Sequence, residues 1–301
     1  MRKSVLITGG SGLLGTALTD LLLQAGLSVS HLSRDPSWGK IKCFRWSVQE
    51  KYIDPKALQG VDAIIHLAGA GVAEKRWTIK RKKEIIESRT KSSNFLFEVL
   101  RDTPNHVQTV LSASAIGYYG LTTLDDWCHE ERKPGSDFLA GVCDAWESSI
   151  KPIEELSKRL VIFRIGVVLS NRGGALTKMA KPIKWGVGIP LGSGRQWISW
   201  IHVDDLCQMF LLALENEAMK GSYNAVAPNP VTNHKLNEAI AKILRRPLWV
   251  VNIPDFVLKT ILGEMYQIVV SGSKVSCDKI KSAGFGFAFS EHDLAIKNLL
   301  S

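Results

Sequence analysis

Val5-Leu6-Ile7-Thr8-Gly9-Gly10-Ser11-Gly12-Leu13-Leu14-Gly15 is the stretch that decides the fold. An apolar run of strand length leads into three glycines spaced G-x-x-G-x-x-G, with a fourth at Gly10. Leu13, Leu14, Ala17, Leu18, Leu21, Leu22 and Ala25 then fall on one face at helical period, and Gly26 sits where a helix-ending glycine belongs. Each glycine has a physical task in such a turn. Gly9 allows the tight exit from the strand, Gly12 lets the backbone approach a pyrophosphate, and Gly15 lets the helix pack against the sheet. Leu13 and Leu14 open the helix, whose free N–H groups and positive dipole end face the phosphates. A glycine-rich turn without a ligand is the alternative. The strand before it and the helix after it favour the dinucleotide.

Working outward, residues 27–33 form the next strand candidate, ending at Ser33-Arg34, about twenty residues past the glycine loop. An acidic residue there would accept from the ribose 2′-hydroxyl of NAD. A hydroxyl and a guanidinium stand there instead, and a guanidinium bonds a 2′-phosphate through two N–H groups. The expected cofactor is therefore NADP(H), with Arg34 as a plain surface arginine being the bland alternative. Further on, 62–71 reads as a buried strand running into the small residues Leu67-Ala68-Gly69, which give a flat dinucleotide access beside the first loop. His66, inside that strand, reads as a hydrogen-bonded core histidine. A long basic helix is expected from Thr78 to Leu100, and from it Arg89 is placed to face the cofactor phosphates or ribose.

Composition bounds the rest. A chain of 301 residues permits one large domain or one and a half. The Met1-Arg2-Lys3 start runs straight into the first strand, which argues against a signal peptide, and no apolar run reaches membrane-spanning length. Five scattered cysteines without a C-x-x-C point to a reducing, cytoplasmic setting, and seven histidines without H-x-x-x-H pairing give no metal site. Net charge is +9, and its densest run, Lys80-Arg81-Lys82-Lys83, is followed by Glu84 and Glu87. Interleaved carboxylates make that a solvated helix face rather than a nucleic-acid surface. A small-molecule partner is expected, with neither nucleic acid nor membrane. The oligomeric state is left open.

The fifth strand candidate, 107–112, runs into Ala113-Ser114-Ala115-Ile116-Gly117-Tyr118-Tyr119-Gly120. Together with the glycine loop, Asp62…His66-Leu67-Ala68-Gly69 and Trp200-Ile201-His202-Val203-Asp204-Asp205, this resembles the extended short-chain dehydrogenase/reductases, the NAD(P)-dependent sugar-nucleotide epimerases and dehydratases. Arg76-Trp77, Ser88-Arg89, Phe138-Leu139-Ala140 with Trp146-Glu147, and Gly192-Ser193-Gly194-Arg195-Gln196 narrow the resemblance. They point to the atypical subgroup of YfcH-type proteins and their eukaryotic "epimerase family" relatives. The resemblance covers nearly the whole chain.

It implies a serine or threonine at the end of the fifth strand and a Tyr-x-x-x-Lys on the next helix, whose tyrosine exchanges a proton with the substrate as hydride moves. Ser114 matches the first element. Phe138 or Leu139 stands where the tyrosine belongs, and Val142 or Cys143 where the lysine belongs. The epimerases also carry an arginine for the substrate pyrophosphate; the matching place here is Ile198, with Arg195 three positions earlier. Ser114 and Tyr118 are thus the candidate catalytic residues, for a reductase or a nucleoside-diphosphate-sugar epimerase of unassigned substrate. A non-catalytic NADPH sensor or scaffold is the competing class. Tyr119 and His202 read as structural.

The expected fold is α/β, a Rossmann-type doubly wound parallel sheet with a smaller C-terminal lobe. Residues 1–170, with a returning segment near 200–228, form the nucleotide domain. Residues 171–199 and 229–301 form the substrate lobe. Other elements expected are a loop and short helix over 51–58, a strand over 160–169 whose Arg164 takes an ion pair or a backbone partner, a helix over the cofactor from Gly173-Gly174 through Lys181-Pro182, a strand from Leu248 to Ile253, and a last helix capped by Ser290. Trp185, Trp197 and Trp200 are either a small hydrophobic core or an aromatic pocket wall.

Overall fold

The computed structural model describes residues 3–36, 41–121, 125–188, 192–249 and 255–301. In chain order the first half runs β1 Ser4–Thr8, α1 Leu13–Gln24, β2 Ser28–Ser33, β3 Cys43–Ser47, β4 Tyr52–Ile53, β5 Ala63–His66, α2 Ile79–Asp102, β6 Thr109–Ala115, β7 Trp127–Cys128 and α3 Phe138–Ile150. Then come β8 Arg159–Ile165, β9 Val167–Leu169, α4 Gly174–Lys184, β10 Trp197–Ile198, β11 Trp200–His202, α5 Val203–Glu215 and β12 Gly221–Ala225. The chain closes with β13 Val231–Thr232, α6 Asn233–Leu244, α7 Asp255–Leu262, α8 Tyr266–Val270, β14 Lys274–Val275, α9 Asp278–Ser282 and α10 His292–Leu300.

The main sheet has the order β12-β8-β6-β5-β1-β2-β3-β4, parallel throughout except for β4, which returns antiparallel on β3. Strand order reverses at β1, with β2 on one side and β5 on the other. Such a switch point opens a crevice at the carboxyl ends of the strands. Register sets those ends level: Thr8 lies beside Leu32 and His66, and His66 beside Ser112.

Both faces of the sheet are covered, as continuous apolar strands require. Val5, Ile7, Ile65, Leu111 and Phe163 face α1 and α5, meeting Leu18, Leu22, Leu206 and Phe210. Leu6, Ile64, Val110 and Ile162 face α2, meeting Phe95, Leu96 and Val99. The doubly wound class expected from the glycine loop is therefore what forms. Among the described residues no helix is long and apolar enough to cross a membrane.

Three local expectations change, and a fourth falls mostly outside the described residues. Residues 51–58 form no helix: Tyr52 and Ile53 pair back on Trp46 and Ser47, and 55–60 are turns. The strand over 160–169 is broken at Gly166, where a Cβ would meet the Ser199 carbonyl oxygen at 2.5 Å. Past that break β9 leaves the main sheet for β11. The last helix starts after Glu291 with no side-chain cap, so Ser290 does not cap it. Of the strand placed at 248–253, Leu248 makes a single bridge to Gly188, and 250–254 lie outside the described residues.

Candidate cofactor cleft and active site

The glycine loop is shaped by close backbone approach. Gly9 sits at φ +71°, and a Cβ there would lie 3.1 Å from the Leu67 carbonyl group. A Cβ on Gly15 would come within 2.4 Å of the Gly9 carbonyl oxygen. The Gly12 N–H donates to that same oxygen at 3.0 Å, and Gly12 caps α1 in extended conformation without a side-chain bond. The N–H groups of Leu13, Leu14 and Gly15 consequently find no protein acceptor among the described residues. No acidic side chain occupies that first turn. Free donors, the dipole end and an absent Cβ fringe together make an anion cradle.

At the end of β2, Ser33 accepts the Asp35 N–H at 3.1 Å, which tightens the turn. Arg34 is exposed, and its guanidinium makes no hydrogen bond or ion pair among the described residues. Across the crevice, Thr8 accepts from the N–H groups of Leu67 and Ala68 at 3.1 and 3.2 Å, which fixes the Leu67-Ala68-Gly69 loop beside β1. Two neighbouring residues of α2 then clamp Ala70. Ser88 accepts its N–H at 3.0 Å, and Arg89 donates to its carbonyl at 2.9 Å.

His66 is a core histidine, as expected. It is fully buried between Thr8 (2.9 Å) and the hydroxyls of Ser92 and Ser93 (3.3 Å each). Burial lowers its pKa from 6.5 to about 4. The unfolded chain therefore takes up this proton first. The stabilisation is full above pH 6.5 and fades as pH falls toward 4, by about 3 kcal/mol in all. Urea unfolding at a series of pH values checks this: His66→Asn should flatten the acid limb relative to the native chain, and parallel curves refute it.

The β6 end carries a buried polar chain. Ser114 is 3% exposed and donates to Glu147 of α3 at 2.8 Å. Glu147 accepts two bonds from Arg164 of β8, at 2.8 and 2.9 Å. Arg164 donates to the Tyr119 hydroxyl, and that hydroxyl donates to Asn224 of β12. Tyr119 is thus structural, and burial pushes its phenol to about 12. Tyr118 differs. It is half-buried, and its ring lies under the Arg164 guanidinium at 3.5 Å. Burial raises its pKa, which favours the protonated phenol.

The dyad positions on α3 are apolar in the structure too. Leu139 packs with Trp77, Ile85 and Val142, next to Phe138, Met265 and Ile268. The Cys143 thiol is pushed to about 12 by burial. His202 caps α5 through the Asp204 N–H and stacks on Phe289. Trp200 is fully buried core, Trp197 is half-buried beside Lys274, and Trp185 is 72% exposed. The three do not form one wall. Lys178 of α4 reaches across to the Ala73 carbonyl at 3.0 Å, and a Cβ added at Gly173 would lie 3.4 Å from Leu13, so α4 starts near the glycine loop. No group of three or more His, Cys, Asp or Glu that could hold a metal occurs among the described residues.

Glu147 is the functional-region residue that sequence reasoning left without a role. Its signal was Arg164 inside an apolar strand, which requires a buried counter-charge.

Residues 5–226 match the NAD dependent epimerase/dehydratase family, and 253–299 match a domain of unknown function, DUF1731. An epimerase family protein of Staphylococcus aureus is 34% identical, with 99% of each chain covered. The human epimerase family protein SDR39U1, crystallised with NADPH, superposes with a TM-score of 0.89 at 30% identity over 99% of each chain. A nucleoside-diphosphate sugar epimerase from Corynebacterium glutamicum gives 0.81 at 31% identity, matching all of this chain and 58% of its own. The chain belongs to the NAD-dependent epimerase/dehydratase family.

Proposed function

We propose that the protein is an NADP(H)-dependent reductase or epimerase acting on a small molecule. The observation that carries this is the uncapped start of α1 at the glycine loop, with the exposed Arg34 at the neighbouring strand end. The residues fit the cofactor: free N–H groups at Leu13, Leu14 and Gly15 suit a pyrophosphate, and Ser33 with Arg34 suits a 2′-phosphate. Leu67, Ala68 and Gly69 leave room for the flat ring beside Gly9 and Gly12. The human relative crystallised with NADPH supports the phosphorylated cofactor.

When bound, the dinucleotide supplies or takes up the hydride. The chain supplies orientation and a proton. Tyr118 is the proton carrier, held flat by Arg164. Ser114, whose own proton goes to Glu147, keeps its lone pairs for accepting a bond and fixes the pair beneath Tyr118. Residues 1–170 and the returning 200–228 carry the cofactor; 171–199 and 229–301 cover the substrate. The Corynebacterium relative suggests a nucleoside-diphosphate sugar. Against that, Ile198 is locked in β10 opposite Val231, which leaves the exposed Arg195 as the available cation for a diphosphate.

A second reading, a non-catalytic NADPH-binding protein, is favoured by one observation: the dyad positions are filled by Phe138, Leu139 and Val142 of an apolar cluster and by the buried Cys143. A screen of carbonyl compounds and nucleotide sugars that follows NADPH absorbance separates the two. Turnover supports the enzyme, and binding without turnover supports the sensor.

Arg34→Ala is expected to weaken NADPH binding by about 2 kcal/mol and NADH binding much less. Calorimetric titration of both cofactors onto both proteins measures it. Equal affinity of the native chain for NADPH and NADH defeats the assignment.

A further inference from the structure

The helix that should bring a cation to the hydride-transfer end of the cleft brings none. α3 reads Phe-Leu-Ala-Gly-Val-Cys-Asp-Ala-Trp-Glu-Ser-Ser-Ile, without lysine or arginine. Of the two residues that match the lysine's place, Val142 is buried in the apolar cluster and Cys143 is a buried neutral thiol packed beside Gly117.

A cation reaches the same place from the opposite side. Arg89 leaves α2 and crosses to α3, where its guanidinium carbon lies 4.9 Å from the ring of Trp146. Trp146 is three residues beyond Cys143, and the Arg89 charge bears directly on the Cys143 thiol. Along the cleft the guanidinium also flanks Gly69, where an added Cβ would lie 3.1 Å from Cζ. One nitrogen, Nη1, holds the Ala70 and Ile85 carbonyls at 2.9 and 3.0 Å. Nη2 and Nε have no protein acceptor among the described residues. Burial lowers the pKa of this guanidinium, as for a cation that has lost water without regaining all its acceptors.

On the reading that NADP(H) occupies this cleft, we infer that Arg89 takes the place of the missing lysine. Its free Nη2–Nε edge bonds the hydroxyls of the nicotinamide-side ribose, and its charge is the fixed positive charge at the hydride-transfer end. The clamp on Ala70 explains why the guanidinium stays there: one edge is anchored to the loop, and the other faces the cleft. Trp146 supplies a flat support for the planar group.

The experiment uses two ligands, the full chain and Arg89→Met, which keeps the packing stem and removes the donors. NADPH has the nicotinamide ribose; 2′,5′-ADP shares the adenosine 2′-phosphate end and lacks it. The Kd for NADPH should rise roughly 10–100-fold in the variant, while that for 2′,5′-ADP stays within about twofold. Parallel weakening of both ligands, or of neither, overturns the inference. A cation restored from α3 supplies the second arm: Arg89→Met with Cys143→Lys should recover most of the NADPH loss. If that double variant does not fold, methylguanidinium added to Arg89→Ala should do the same. NADPH-selective loss that neither cation rescues makes Arg89 a brace for the Ala70 loop and also overturns the inference. A native chain that binds neither ligand instead removes the NADP(H) reading on which the inference rests.

Discussion

Glu147→Ala is expected to lower the unfolding free energy by about 3–5 kcal/mol, because it leaves a buried guanidinium without its counter-charge. Glu147 and Arg164 are 1% and 4% exposed, so water cannot replace the lost carboxylate. The damage extends along the bonded chain. Ser114 loses its acceptor, and Arg164 loses two charge-assisted bonds. Arg164 ties β8 to Tyr119 and to the Glu130 carbonyl, and Tyr119 ties this group to β12. Denaturant unfolding measures the change. Replacing the pair together, Glu147→Leu with Arg164→Met, should cost far less than Glu147→Ala alone, because no charge is left unpaired. A Glu147→Ala loss under about 1 kcal/mol would show the pair to be effectively solvated. The same variant bears on function, since the ring of Tyr118 rests on Arg164. Chemistry that uses Tyr118 should fail in Glu147→Ala even at temperatures where the chain remains folded.

The sequence disclosed the cofactor cleft more fully than the chemistry beside it, for a physical reason. A phosphate cradle is made of local geometry: a strand, a turn without Cβ atoms and a helix start, all within Val5 to Gly15. The strand end at Ser33-Arg34, which we propose for the 2′-phosphate, follows at a distance fixed by one helix and one strand. The Ser114–Glu147–Arg164–Tyr119–Asn224 chain draws on three strands, the turn after β6 and α3, and its members are up to 110 positions apart. Only the isolated arginine in an apolar strand announced that a partner existed. The tryptophans were unreadable for a related reason. Trp200 donates to the Asn229 carbonyl from inside the core, whereas Trp185 faces solvent at the end of α4. Nothing in their spacing separates those fates. Gly166 looked like one more residue of a strand because the requirement for glycine comes from the Ser199 carbonyl, which is far along the chain.

Gly15→Ala should remove both cofactor binding and part of the stability, and the two losses are separable. An alanine Cβ would sit 2.4 Å from the Gly9 carbonyl oxygen, with Gly10 Cα and C at 2.7 and 2.8 Å. Those atoms are backbone, so relief requires moving the loop or the helix. Overpacking of this kind costs about 1–3 kcal/mol in the ligand-free chain. Moving the loop also displaces the Gly9 oxygen that fixes the Gly12 N–H, and with it the aim of the free donors at Leu13 and Leu14. NADPH at a hundred times its Kd adds about 2.7 kcal/mol to a chain that binds it and nothing to one that does not. The gap between native chain and variant should therefore widen when NADPH is added, to about 4–6 kcal/mol. Gly26→Ala is the control. Gly26 also has a positive φ, +82°, but an added Cβ meets nothing within 4 Å. Its cost is backbone strain alone, about 1 kcal/mol, and its NADPH-induced shift should match that of the native chain. A Gly15→Ala chain that keeps the full NADPH shift would mean that the cofactor does not use this helix start.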